Sequence, residues 1–88
     1  MPDFVVEFAP AAVRDLKRLD PGIRASLLKA SAVLSQAPYP LSSDRIKLLV
    51  GVNPPHYRLR VGDYRIVYRI QEDRVIVVRV AHRREAYR

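Results

Sequence analysis

The stretch that most constrains the fold is residues 56–68, with the sequence HYRLRVGDYRIVY. Apolar and basic residues alternate on both sides of Gly62-Asp63, which is typical of two half-buried strands joined by a tight turn. Glycine at the first central position supplies the positive φ that a two-residue turn needs. The turn sets the register, which predicts one apolar face made of three facing pairs: Val61 with Tyr64, Leu59 with Ile66, and Tyr57 with Tyr68.

The opposite face of this hairpin is predicted to be basic. Arg60 lies directly across from Arg65, and like charges in that position destabilise an isolated sheet unless an anion binds between them. A solvated face, with the arginine stems covering apolar surface, explains the same pattern, so the hairpin alone leaves both interpretations open. The residues predicted on this face are His56, Arg58, Arg60, Arg65, Val67 and Arg69.

The net charge of +7 is distributed unevenly. Residues 1–44 hold five Lys/Arg and five Asp/Glu, whereas residues 45–88 hold eleven Lys/Arg and four Asp/Glu. This asymmetry indicates a polyanionic partner, most often nucleic acid. A membrane surface is disfavoured because the chain has no basic amphipathic helix with large apolar residues.

Cellular location is predicted from residues that the chain lacks. Cysteine is absent, so disulfides and thiolate metal sites are excluded and a reducing cytosol is expected. No apolar run has membrane-spanning length, and the N-terminal MPDFVVEF carries acids where a signal peptide needs bases. We therefore expect a soluble cytoplasmic protein.

The whole chain, residues 1–88, is predicted to form one α+β domain. Residues 4–8 predict a first strand, and Pro10 and Asp20-Pro21 begin two helices that form a hairpin on one face of an antiparallel-rich sheet. Residues 45–48 fit either a short strand or an ordered loop. Residues 75–81 are the most β-prone run and predict an interior strand. The predicted order is β-α-α-β-β-β.

The last strand is predicted to bring distant basic residues to the hairpin. Pairing of Ile70 with Val75 places four residues on the face of Arg65: Ile76, Val78, Val80 and His82. On this register His82 and Arg83 approach Arg58 and Arg65. Because these residues are far apart in sequence, their convergence favours a functional site over a solvated face.

The residues present suit RNA cleavage without a metal ion. There is no cysteine nucleophile, phosphate-binding glycine loop or serine elbow, and two histidines without a carboxylate cluster make a poor metal site. In RNA the ribose 2′-OH supplies the nucleophile, and arginine stabilises the phosphate charge but stays protonated. His56, His82 or Tyr87 is then the candidate for proton transfer, and the Tyr87 ring could instead stack on a base.

The segments YRLRVGDYRIVY and VRVAHRREAYR, with the opening FAPAAVRDLKRL, resemble the RelE/ParE superfamily of type II toxin–antitoxin toxins. The likeness covers nearly the whole chain and is closest to RelE-type toxins, which cleave mRNA in the ribosomal A site. It implies the RelE-like fold and a set of catalytic positions: Arg58, Arg65, Arg83, Tyr87 and His82. The residues expected to contact RNA and the ribosome are Arg45, Lys47, His56, Arg60, Arg69 and Arg84.

The resemblance also implies partners. It implies mRNA, the ribosome and a small acidic antitoxin held in a toxin–antitoxin hetero-oligomer, with no membrane, metal or cofactor. His56 stands where a well-studied member has lysine, a residue that keeps its charge at pH 7, whereas a free imidazole is mostly neutral at that pH. Two alternatives remain: a ParE-type toxin that poisons DNA gyrase without nuclease activity, and a basic nucleic-acid-binding module without chemistry.

Overall fold

The computed structural model describes residues 3–40 and 44–84, which form two helices packed against one face of a sheet. The elements are β1 (Val5–Phe8), α1 (Pro10–Lys17), α2 (Pro21–Ala32) with a following 3₁₀ turn (Val33–Ser35), β2 (Ile46–Leu48), β3 (His56–Val61), β4 (Tyr64–Gln71) and β5 (Arg74–His82). The strand order is β1-β5-β4-β3-β2, with β1 parallel to β5 and the other neighbours antiparallel. The predicted α+β architecture is confirmed, with β5 as an interior strand, but the predicted order β-α-α-β-β-β lacks the strand β2.

Local signals explain where the helices begin and which side they bury. Pro10 and Pro21 each occupy the first helical turn, where a missing N–H costs no hydrogen bond. Ala12 and Leu16 of α1 are buried against the sheet. Leu27 of α2 is buried in the same core, so each helix turns its apolar side toward the apolar face of the sheet. In the described ranges, no helix is long and apolar enough to cross a membrane.

The β3–β4 hairpin has the register that the sequence predicts. Its facing pairs include Leu59 with Ile66 and Arg60 with Arg65. Gly62 has φ +58, the left-handed conformation that makes glycine favourable in this turn. Residues 45–48, which the sequence left undecided, contribute the edge strand β2, and its Ile46 pairs with Leu59 in the core.

A bulge in β5 changes the register that the sequence predicts for this strand. Ile70 pairs with Val75 as expected, but Tyr68 pairs with Val77 while Val67 pairs with Arg79. β5 therefore has one extra residue between the partners of Tyr68 and Val67. Every side chain of β5 after this extra residue points to the face opposite to the one predicted.

The predicted placement of two β5 residues on the face of Arg65 is consequently wrong. Val80 faces Ile66 and is 5% exposed in the core, and His82 faces Tyr64. The expected placement of Ile76 is confirmed, because it pairs with Arg69 before the bulge.

Asp15 joins α1 to the part of β5 that β1 does not reach. Its Oδ2 accepts the Val80 N–H at 2.8 Å and the Arg79 Nε–H at 2.8 Å, while Oδ1 accepts Arg79 Nη2 at 3.2 Å. Burial disfavours the charged carboxyl, but these hydrogen bonds and the nearby guanidinium groups outweigh it and hold the pKa of Asp15 below its ordinary value. The carboxylate thus satisfies a strand-edge N–H that has no strand partner.

The phenol of Tyr68 is buried in the centre of the core. The residue is fully buried, and its hydroxyl donates to the Pro38 carbonyl at 2.6 Å. Burial raises the pKa of Tyr68 far above its ordinary value, so the phenol stays neutral. This contact attaches the segment after α2 to the sheet.

Candidate functional site

The side of the sheet opposite the helices, here called the open face, is basic across three strands. β2, β3 and β4 contain no Asp or Glu, so no acid of these strands neutralises this face. The residues that the register places there are Lys47 of β2, His56, Arg58 and Arg60 of β3, and Arg65, Val67 and Arg69 of β4.

Arg58 lies at the middle of the open face. Its neighbours across the two ladders are Lys47 and Val67, and only 9% of its surface is exposed. Among the residues that the structure describes, no carboxylate pairs with its guanidinium. A charge that is removed from water without a counter-ion is destabilising, so this position favours an external anion.

Arg65 is held in place by the hairpin turn. Its Nη1 donates to the Gly62 carbonyl at 3.2 Å and to the Tyr64 carbonyl at 3.0 Å. Its Nε is buried and has no hydrogen-bond partner in the described part of the chain. The two bonds of Nη1 hold the guanidinium in a defined position, which is the preorganisation that stabilisation of a ligand's charge requires.

The register places the Cβ positions of three arginines in a triangle on this face. Arg60 stands directly opposite Arg65, at the roughly 5 Å Cβ spacing of facing strand residues. Arg58 is the diagonal neighbour of Arg65, at roughly 7–8 Å. Arg60 also donates its backbone N–H to the Arg45 carbonyl at 2.9 Å, which keeps exposed Arg45 beside the triangle. A phosphate group fits the chemistry of such a cluster.

Arg83 reaches the same hairpin turn from the end of β5. Its backbone N–H donates to the Asp63 carbonyl at 2.7 Å, and its Nε lies 3.9 Å from Asp63 Oδ1. Both side chains are more than half exposed, so this ion pair contributes little. Arg65 and Arg83 are therefore both bonded to the Gly62-Asp63 turn, and the following Arg84 is exposed.

His82 does not join this cluster, although the sequence predicts that it does. Because of the bulge, its ring packs edge-to-face on Tyr64 with the centroids 5.5 Å apart, on the helix side of the sheet. The prediction that His82 approaches Arg58 and Arg65 is wrong. The prediction for Arg83 agrees with the structure to the extent that Arg83 reaches the turn that holds Arg65.

His56 and Arg69 lie at the other end of the open face. They face each other across β3 and β4, and His56 is four residues from Arg60, roughly 13 Å along an extended strand. His56 Nδ1 lies 2.7 Å from the Pro54 carbonyl, so Nδ1 carries the proton, and Arg69 Nη1 donates to Gln71 Oε1 at 2.6 Å. These two residues extend the basic part of the open face but are not members of the arginine triangle.

Two further predictions concern Tyr87 and metal ions. Tyr87 lies outside the described residues, so its role stays a prediction from the sequence. Within residues 3–40 and 44–84, no three His, Cys, Asp or Glu side chains come close enough to hold a metal ion.

Sequence reasoning missed the groups that position the arginines. The carbonyls of Gly62, Asp63 and Tyr64 hold Arg65 and Arg83, but every residue has a carbonyl and no residue type signals this use. The predicted turn could have indicated these contacts, because it lies beside the end of the strand that Arg83 follows.

Comparisons with known proteins agree over almost the whole chain. A family model described as the ParE toxin of the type II toxin–antitoxin system parDE matches residues 6–87. Toxin RelG of Mycobacterium tuberculosis is 34% identical over 88 residues, covering 97% of each chain. The putative toxin RelE1 of Methanocaldococcus jannaschii is 34% identical over 83 residues, covering 93% of this chain and 91% of the relative. The solved toxin–antitoxin complex RelBE2 of M. tuberculosis contains a chain with a TM-score of 0.79 and 31% identity, covering 91% of this chain and 98% of that chain.

Proposed function

The chain belongs to the ParE toxin family, within the RelE/ParE superfamily of type II toxin–antitoxin toxins, and we propose that it is a ribosome-dependent endoribonuclease that cleaves mRNA in the A site. The observation that carries this proposal is the triangle of Arg58, Arg60 and Arg65 on a face whose three strands lack acids. The similarity to RelE-type relatives over more than nine-tenths of the chain supports the same choice.

The proposed reaction uses the substrate's own nucleophile. The ribose 2′-oxygen bonds to phosphorus, its proton passes to a base, and the 5′-oxygen leaves as a hydroxyl after gaining a proton. The products are a 2′,3′-cyclic phosphate and a 5′-OH end. Arg58 and Arg65 donate hydrogen bonds to the non-bridging phosphate oxygens, where charge accumulates in the transition state, and Arg83 joins them from the turn.

His56 is the best-placed described candidate for the base. Because its Nδ1–H donates to the Pro54 carbonyl, its Nε2 keeps a free lone pair, the form that accepts a proton. It shares the open face with Arg58, two residues away on the same strand. His82 lies on the helix side, so only Tyr87, a candidate by family resemblance, competes with His56 for this role.

We also propose a cognate antitoxin as the stable partner, and mRNA on the ribosome as the target. The net charge is +7, and residues 45–88 carry the whole excess of positive charge. Such a charge suits binding to a small acidic protein and to RNA. The solved relative from M. tuberculosis is itself a toxin–antitoxin complex. Copurification of this chain with the product of its neighbouring gene is the direct test of the antitoxin proposal.

A gyrase poison is the second candidate, because the family model that matches residues 6–87 describes ParE toxins. This function needs the basic face only as a docking surface. It predicts inhibition of DNA supercoiling and an intact message on ribosomes.

The deciding experiment is primer extension on an mRNA held in programmed ribosomes, with wild type, Arg65→Ala and Arg74→Ala compared. We expect cleavage within the A-site codon, a loss of roughly 10²–10³-fold in single-turnover rate for Arg65→Ala, and a wild-type rate for Arg74→Ala. Arg74 is a matched control because it is an exposed arginine whose partner is Glu7, away from the triangle. An intact message with inhibited gyrase would establish the second candidate instead.

A further inference from the structure

We propose that His82 is a positioning residue that holds the backbone turn presenting Arg83, and that it moves no proton. This inference rests on the proposed nuclease function, in which Arg83 is one of the phosphate-binding arginines. It differs from the role expected from the sequence, which made His82 a candidate for acid–base chemistry.

The location of His82 separates it from the open face. It is the last residue of β5, it pairs with Tyr64 of β4, and the two rings meet at an interplanar angle of 79°. It lines a cleft of about 250 Å³ together with Asp15, Arg18 and Arg79. The α1 residues of this cleft place it on the helix side of β5, whereas Arg58 and Arg65 belong to the open face.

The hydrogen bond of His82 determines its tautomer. The backbone N–H of Arg84 lies 3.3 Å from His82 Nδ1, and a backbone N–H can only donate. Nδ1 is therefore the acceptor, and in the neutral ring the proton resides on Nε2. The lone pair that a general base would use is already engaged by the main chain.

Two consecutive backbone N–H groups hold the turn after β5. That of Arg83 donates to the Asp63 carbonyl at 2.7 Å, and that of Arg84 donates to His82 at 3.3 Å. Together they fix the main chain on both sides of the Arg83 Cα, next to the turn that also orients Arg65. Small misplacements of a charge-stabilising group cost large factors in rate, so the second bond affects catalysis without touching substrate.

The test compares His82→Asn with His82→Phe in the same ribosome assay. Asparagine keeps a short side-chain acceptor near the Nδ1 position, whereas phenylalanine keeps the ring against Tyr64 but has no acceptor. We expect His82→Asn to cleave within about 3-fold of the wild-type rate and His82→Phe to lose about 10-fold or more, chiefly in kcat. If His82 moved a proton, both variants would lose activity equally, and that result would overturn the proposal.

A second measurement needs neither a variant nor activity. The ¹⁵N shifts of the His82 ring in the wild-type protein should report the Nε2–H tautomer, and the Arg84 amide should be protected from hydrogen exchange. An Nδ1–H tautomer, or an unprotected Arg84 amide, would overturn the positioning role. If wild type leaves the message intact, the nuclease proposal fails, while these spectra still decide whether His82 holds this turn.

Discussion

Replacing Asp15 by asparagine tests whether one carboxylate joins α1 to the uncovered edge of β5. The side chain is 9% exposed and accepts three hydrogen bonds, two from Arg79 and one from Val80. Asparagine has nearly the same shape but only one acceptor oxygen. With the amide oxygen of Asp15→Asn in the Oδ2 position, the Val80 N–H and the Arg79 Nε–H keep an acceptor, but Arg79 Nη2 loses its acceptor and faces an amide NH₂. The negative charge that strengthens all three bonds is lost in either orientation.

The size of the effect follows from those contacts. Hydrogen bonds to a charged group contribute about 1.5–3 kcal/mol each, and the exposed side of Arg79 reduces its share. We expect Asp15→Asn to lower the free energy of unfolding by about 2 kcal/mol at pH 7. For a domain of this size, that loss lowers Tm by roughly 8–16 °C.

The effect should depend on pH in one direction. Because the folded-state pKa of Asp15 lies below the ordinary 3.8, its contribution is fully present above about pH 4 and is lost as pH falls through the folded pKa. The stability gap between wild type and Asp15→Asn should therefore be largest near neutral pH and should narrow in acid. Urea unfolding at pH 7 and pH 3, followed by circular dichroism, measures both gaps.

Asp20→Asn is the matched control. Asp20 is an exposed N-cap whose side chain makes no capping hydrogen bond, and asparagine fits the same position. We expect its stability to stay within about 0.5 kcal/mol of wild type. Two results would refute the role assigned to this carboxylate. One is an Asp15→Asn protein whose free energy of unfolding at pH 7 is as close to wild type as that of the control. The other is a stability difference between wild type and Asp15→Asn that is the same at pH 3 as at pH 7.

Two other substitutions test contacts elsewhere. Tyr68→Phe removes the donor to a buried carbonyl, so urea unfolding should show a loss of about 1–3 kcal/mol, and an unchanged midpoint would contradict the importance of this bond. Asp63→Asn removes the carboxylate beside Arg83 but keeps the backbone carbonyl that holds it. In the nuclease that we propose, the single-turnover cleavage rate of Asp63→Asn should therefore stay within about 3-fold of wild type. A large change in rate would assign the ordering of Arg83 to the ion pair instead.

Local chemistry explains why the hairpin could be predicted from sequence. Alternation with period 2 and a glycine suited to positive φ determine the register within thirteen residues, and that register alone places Arg60 opposite Arg65. Asp20-Pro21 marks the start of α2 for an equally local reason. The family likeness rests on the same local segments, and the match over residues 6–87 agrees with it.

Long-range packing explains what could not be predicted. The run VIVVRV is β-prone at every position except Arg79, so its β-propensity does not select the residue where the bulge falls. The choice is made by partners far along the chain: Val77 and Val80 fill the core, and Asp15, 65 residues away, accepts the Val80 N–H. A one-residue slip moves the side chains after it to the other face of the sheet, so only the tertiary structure could decide the face of His82.

The sequence by itself determined the basic hairpin, the α+β class and the toxin family, because each depends on residues adjacent in the chain or on short motifs. The tertiary structure decided which basic side chains meet. Arg83 reaches the turn beside Arg65, and His82 turns to Tyr64. The physical reason is that side-chain direction in a strand follows from register. The register of β5 is set by packing against α1, β1 and β4 rather than by its own residues.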